Sequence, residues 1–158
     1  MSYARFLAMI ATSTVTMFGL MYLNTYALEH VLFSETRTYM ALYMGATMAV
    51  IMLLFMWGMY RRTVVNAVII AGSVAVFALS LYLLRSQTTV QDVSWMRAMI
   101  PHHSIAILTS ERAEISDPRV RALADEIIAA QRLEIDEMKA LIADLRGGPR
   151  ATPEIDGR

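Results

Sequence analysis

Cysteine is absent from the 158 residues. That excludes disulfides, thiolate metal sites and thiol catalysis, and it leaves the redox compartment open. Lysine is nearly absent, with Lys139 the single one. Charge of either sign is scarce at the start, where residues 1–88 hold five Arg, two Glu and no Lys or Asp. Residues 89–146 hold ten acidic and seven basic side chains, so the formal charge of zero joins a nearly apolar half to a mildly acidic one. Neither half is basic enough to suggest nucleic acid as a partner. No β-type alternation, internal repeat, cofactor loop or nucleophile–base pair is visible. The fold is therefore expected to be all-α, and an enzyme is not expected, with metal redox chemistry such as cuprous oxidation left open.

What is abundant is apolar surface, at 56% of the residues, and methionine, with 13 copies of which ten precede residue 60. Three uncharged runs cover residues 6–28, 39–60 and 64–84. At 1.5 Å of rise per residue each spans about 30 Å or more, enough to cross a bilayer core. Tyr22, Tyr26, Tyr39, Tyr60 and Tyr82 lie near their ends, where amphipathic rings suit the interface. The first run is too long for a signal-peptide core and two more follow it, so it reads as a retained helix. Residues 1–88 thus form an expected three-helix transmembrane region with the lipid bilayer as its partner. Arg5, Arg61 and Arg62 fall on one side of it, against Arg37, Arg85 and Arg97 on the other. The positive-inside rule places the N-terminus in the cytoplasm and the C-terminal part outside, in a bacterial inner membrane facing the periplasm or exterior.

Residues 89–146 read as an antiparallel helical hairpin. Thr88 or Thr89 can cap its first helix, with Thr89 and Asp92 resembling a capping box, and that helix is expected to reach about Ile115. Asp117 and Pro118 suit the N-cap and first turn of a second helix, which "GGP" at 147–149 stops near Arg146. Residues 147–158 are expected to be a flexible tail. Two helices alone bury little apolar area, so the pair needs a partner hairpin, the spans or a metal.

The hairpin contains an odd stretch, "MRAMIPHHS" at 96–104. Val93, Met96, Ile100, His103 and Ile107 fall within about 60° on one face of the first helix. On the second helix the expected stripe runs through Val120, Leu123, Ile127, Met138, Leu141 and Leu145, with the polar Gln131 and Glu134 on it. A turn at Ser116–Asp117 then sets Met96 opposite Met138, Ile100 opposite Glu134 and His103 opposite Gln131. Met99 borders the seam, and His102 points about 100° away from His103, needing a kink at Pro101 or a second subunit to take part. Thioether and imidazole donors with one carboxylate suit a soft or borderline ion, with Cu(I) favoured. Zinc is the less favoured choice because it would leave the methionines unused. A di-iron carboxylate centre would need Glu-x-x-His repeats that are absent. Each Met or His alone is more ordinarily packing, since Met fills irregular gaps; their coincidence at one level is what favours a metal. Met96, Met99, His103 and Met138 are the first-choice ligands, His102 and Glu134 follow, and Gln131 orients its neighbours.

"WMRAMIPHHSIAI" at 95–107 followed by "LADEIIAAQRLEIDEM" at 123–138 resembles the bacterial domain-of-unknown-function family 305. The resemblance rests on Trp95, Met96, Met99, His102, His103, Ala106 and Ile107 in one helix. In the other it rests on Leu123, Ala124, Gln131, Glu134, Ile135 and Met138. It implies a ferritin-like fold for the hairpin and copper binding by the Met and His positions. Members often carry a further Met where this chain has Thr109, which puts one ligand in doubt. Met40, Met44, Met48, Met52, Met56 and Met59 in the second run, with Met9, Met17 and Met21 in the first, read as flexible packing ahead of a copper ladder. Glu29 and His30 read as headgroup-zone residues ahead of members of the hairpin site. The expected function is a membrane-anchored extracytoplasmic metal-binding protein for copper storage, buffering or delivery, alone, as a homo-oligomer or within a larger membrane complex. The alternative is a structural or accessory subunit of such a complex, with the hairpin as its interaction module.

Overall fold

The computed structural model describes residues 2–151. Among them are five α-helices and two short 3-10 turns, with no strand, so the chain is all-helical as expected. Two compact units form, one from the chain up to Leu23 with Glu35–Val90, the other from Asn24–Ser34 with the chain from Gln91 onward.

The first unit holds α1 (Tyr3–Leu20), α2 (Glu35–Phe55) and α3 (Thr63–Ser86), each long and apolar enough to cross a membrane. The middle helix packs against both others. Its buried row is Ala41, Gly45, Ala49 and Leu53, with Ala46 beside it. Small residues at four-residue spacing let helix backbones approach closely. At Gly45 the approach is extreme, since a Cβ there would lie 2.2 Å from Thr14 Oγ1 on α1. Met40, Met44, Met48, Met52 and Met56 are all half-buried beside this row, and none reaches the buried class. A polar knot closes the α2–α3 connection. Buried Asn66 donates to the Tyr60 carbonyl at 2.7 Å and accepts from the Tyr3 hydroxyl at 2.9 Å, while Phe6 meets the Tyr60 ring edge-on.

Gly45→Ala should destabilise this unit. The added methyl gains up to about 1 kcal/mol of helix propensity, but forcing Thr14 aside costs about 1–3 kcal/mol. Thr14→Ala should restore the loss, and thermal unfolding of the single and double variants in detergent reads it. A Gly45→Ala chain as stable as wild type would mean that the helices do not meet there.

The first apolar run stops being a helix at Leu20, eight positions before its expected end at 28. Beyond Leu20 the carbonyl of Met21 accepts from the Arg37 guanidinium, which also lies over the Tyr22 ring at 4.3 Å. A long-range partner thus takes over a carbonyl that a continuing helix would have used. Asn24–Ser34 leaves the apolar unit altogether and packs in the second one.

The second unit is built on α4 (Asp92–Arg112) and α5 (Pro118–Leu145), with the segment Asn24–Ser34 as a strap across them. The helices run antiparallel, Arg121 donating to the Ser110 carbonyl at 3.0 Å and His103 meeting Glu134 farther along. Asp117 caps α5, its carboxylate accepting from the Arg119 amide at 2.8 Å, and Pro118 opens the helix. Gly147 ends it in the left-handed region at φ 83°, with its amide and that of Gly148 returning to Asp144 and Ala143. That is the pairing of a Schellman cap. Of the expected tail, residues 152–158 lie outside the described residues; Ala151 donates to the Asp144 carboxylate at 3.1 Å.

Three expectations change here. α4 starts at Asp92 behind Gln91 with no side-chain cap, because the Thr89 hydroxyl pairs with that of Tyr39 at 2.8 Å instead. It ends at Arg112 rather than Ile115. The inward stripe of α5 is also rotated from the expected one. Ala124, Ile135 and Met138 are buried and Ile128 and Ile142 pack on the core, while Val120, Leu123, Ile127 and Leu145 stay exposed. The two candidate stripes share Met138, Gln131 and Leu141, the last packed on the core as expected. The one through Glu134 would bury a carboxylate on the seam, whereas the observed one substitutes Ile135 and leaves Glu134 at the rim.

Candidate metal centre

The seam of α4 presents Val93, Met96, Ile100, His103 and Ile107 to α5 at alternating three- and four-residue steps. Met96, Ile100, Ile107, Ile135 and Met138 form its buried core, with Met99 and the strap's Leu32 packed against them. Pro101 is buried inside α4 and has no N–H for the Arg97 carbonyl, so one hydrogen bond of the helix is missing a turn before His103.

His103 sits within this apolar wall with its side chain only 11% exposed. Its Nδ1 lies 3.0 Å from the Met99 carbonyl and its Nε2 2.7 Å from Glu134 Oε2. Both neighbours are acceptors, whereas a neutral imidazole carries one N–H. With Nδ1–H given to the Met99 carbonyl, Nε2 turns a lone pair toward a carboxylate, a clash that a shared proton or a cation relieves. Gln131 Nε2 donates to the same Glu134 oxygen at 3.4 Å. The register therefore differs from expectation, since His103 faces Glu134 instead of Gln131. The cause is the rotated phase of α5: with Ile135 on the seam, Glu134 reaches in from the rim, its side chain 47% exposed.

The expected ligands divide. Met96 and Met138 lie in the seam core with Met99 packed against it, while His103 pairs with Glu134, with Gln131 beside Glu134. His102 does not join them: it is exposed, its ring 6.0 Å from that of His103 and tilted by 64°. Among the described residues no three His, Asp or Glu side chains gather as a metal-holding group.

The strap adds residues that sequence reasoning placed in the headgroup zone. Ser104 is fully buried, its Oγ accepting from the Tyr26 amide at 2.7 Å and lying 2.9 Å from Nδ1 of the buried His30. In the neutral tautomer with Nε2–H toward Glu29 at 3.4 Å, the Ser104 hydroxyl donates to Nδ1, and Glu29 accepts from Lys139 Nζ at 2.8 Å. A 140 Å³ cavity lies beside this latch, lined by Tyr26, His30, Ile107, Arg132, Ile135 and Asp136. The signal that could have revealed it is Ser104 itself, a small polar residue beside a seam position, where burial demands a partner.

Burial first, and then the Lys139 charge, lower the pKa of His30 below its ordinary 6.5, against the opposing pull of Glu29 and Asp136. Lys139 lowers that of Glu29. The folded strap thus prefers neutral His30, and the unfolded chain takes up more protons as the pH drops. Its contribution is complete above pH 6.5 and is lost as the pH falls below it. The protection factor of the Tyr26 amide in hydrogen exchange should therefore fall between neutral pH and mild acid, and His30→Gln should flatten that dependence. Equal protection across this range in wild type would rule out the latch as a titrating one.

Residues 83–154 match the family described as "Domain of unknown function (DUF305)". The chain is also 35% identical over 72 residues to "Uncharacterized protein L153" of Acanthamoeba polyphaga mimivirus, covering 44% of this chain and 47% of that one. The chain therefore spans about half the length of the curated relative it matches. No solved structure matches it.

Proposed function

We propose that this chain, whose residues 83–154 match the DUF305 family, is a membrane-anchored metal-binding protein whose α4–α5 seam takes up copper as Cu(I), for storage, buffering or delivery. The observation that carries the reading is His103, held by the Met99 carbonyl at one nitrogen and facing a carboxylate with the other, on the same seam whose core holds Met96 and Met138 with Met99 packed on it. Fixing one ring nitrogen by a backbone carbonyl is how proteins commonly aim the other at a metal. Buried thioethers with one imidazole select a soft ion, and the lack of a His/Asp/Glu group among the described residues counts against zinc. Met96, Met99, His103 and Met138 would hold the ion, Glu134 would balance its charge, and Gln131 would orient Glu134. His102, exposed outside the seam, could serve as an entry ligand. Bound copper would supply a soft cation and a redox couple; the chain's own part is to shield it behind Ile100, Ile107 and Ile135. The hairpin would have a ferritin-like arrangement and face the periplasm or exterior of a bacterial inner membrane, with the N-terminus cytoplasmic.

Anaerobic purification with elemental analysis, followed by Cu(I) titration of the full chain in detergent, tests this. Tight binding of Cu(I) ahead of Zn(II) is expected, and no Cu(I) uptake would end the proposal. A second reading, an accessory subunit, is favoured by the exposed apolar row Val120, Leu123, Ile127 and Leu145 on α5. Mild-detergent purification yielding a stoichiometric larger partner and no copper would select it.

A further inference from the structure

The strap has two faces. Glu29, His30 and Leu32 point to the hairpin, through Lys139, Ser104 and the seam core. Between them, Leu28 is 90%, Val31 42% and Phe33 55% exposed. His30 is buried and Glu29, though its side chain is 70% exposed, is tied to Lys139, so the remaining exposed side chains of Leu28–Phe33 are apolar. Leu28, Val31 and Phe33 together make an exposed apolar row, the kind of surface that marks contact with a membrane or a partner.

The chain's connectivity says what lies close by. The strap begins four residues after α1 ends at Leu20 and finishes at Ser34, directly before α2 starts at Glu35. Both of those helices are long and apolar enough to span a bilayer. A segment bonded at each end to a spanning helix stays near the headgroup boundary, where apolar side chains can sink about 5–10 Å. The strap lies outside the segment 83–154 that matches the family.

We infer that residues 28–33 form an interfacial lipid-binding surface, with Leu28 and Val31 inserted at the headgroup–acyl boundary while Glu29 and His30 hold the hairpin. The occupant is the lipid surface itself, not a soluble protein or a second copy, because lipid is what continues from the two adjoining helices.

This inference rests on the membrane-spanning reading of α1–α3, and the test separates the two. The chain has no cysteine, so single variants label cleanly. Leu28→Cys, Val31→Cys, Val76→Cys in α3 and Glu126→Cys on α5 are each tagged with an environment-sensitive fluorophore in lipid nanodiscs. Quenching by nitroxide lipids, headgroup-proximal for the strap labels and deep in the acyl chain for the Val76 label, is compared with quenching by aqueous iodide. The Leu28 and Val31 labels should follow the lipid quencher, and the Glu126 label iodide. If the Leu28 and Val31 labels follow iodide while that at Val76 follows lipid, the strap proposal is overturned and the spans stand. Protection of the Leu28 and Val31 labels from both quenchers also overturns it, since protein then covers the row. A Val76 label beyond the reach of lipid quenchers removes both readings.

Discussion

Replacing Met96 and His103 together with alanine is expected to weaken Cu(I) binding by at least about 100-fold, since even outer partners of metal ligands are typically worth 10–100-fold. Competition with a chromophoric Cu(I) chelator under anaerobic conditions measures it on the full chain. Glu134→Gln should weaken binding by about 10-fold to 100-fold, because it removes the charge opposite His103 Nε2. His102→Ala should change little, since that ring stands outside the seam. Wild-type affinity in the double variant, with its helicity intact, would mean that the seam methionines and His103 are packing alone.

Ile100→Ala should cost the second unit about 2–5 kcal/mol, the usual range for a large buried aliphatic truncated to alanine. Ile100 is wholly buried at the centre of a core made by two helices and a strap. A unit of this size is commonly stable by only a few kcal/mol, so the loss is a large part of the total. Limited proteolysis should then cut within α4 and α5 while α1–α3 stay protected in detergent. Ile100→Val, costing about 0.5–1.5 kcal/mol, should remain resistant. A chain carrying Ile100→Ala that resists protease as wild type does would move the core elsewhere. The pair also guards the copper test: Ile100→Val perturbs packing without removing a donor, so it should bind Cu(I) normally.

Features with local causes were legible in the sequence. The apolar helices follow from run length, and the seam of α4 from its own period, with Met96, Ile100, His103 and Ile107 on one face. Asp117 with Pro118 opens α5, and Gly147 closes it, because caps act through neighbouring backbone groups. Each needs only residues a few positions away.

Three other features depended on partners far along the chain. The phase of α5 could not be chosen from its own pattern, since Met138 and Gln131 belong to both candidate stripes. Packing against α4 puts Ile135 inside and Glu134 at the rim, which also sets what His103 meets. The end of the first apolar run was decided by Arg37 reaching the Met21 carbonyl, because apolar composition alone would let the helix continue. The burial of His30 was decided by Ser104, 74 residues away, in a strap with no regular period to read. Composition, period and caps are local quantities that the chain carries with it. The pairing of a buried polar group is settled only when distant segments meet and one acceptor proves nearer than water.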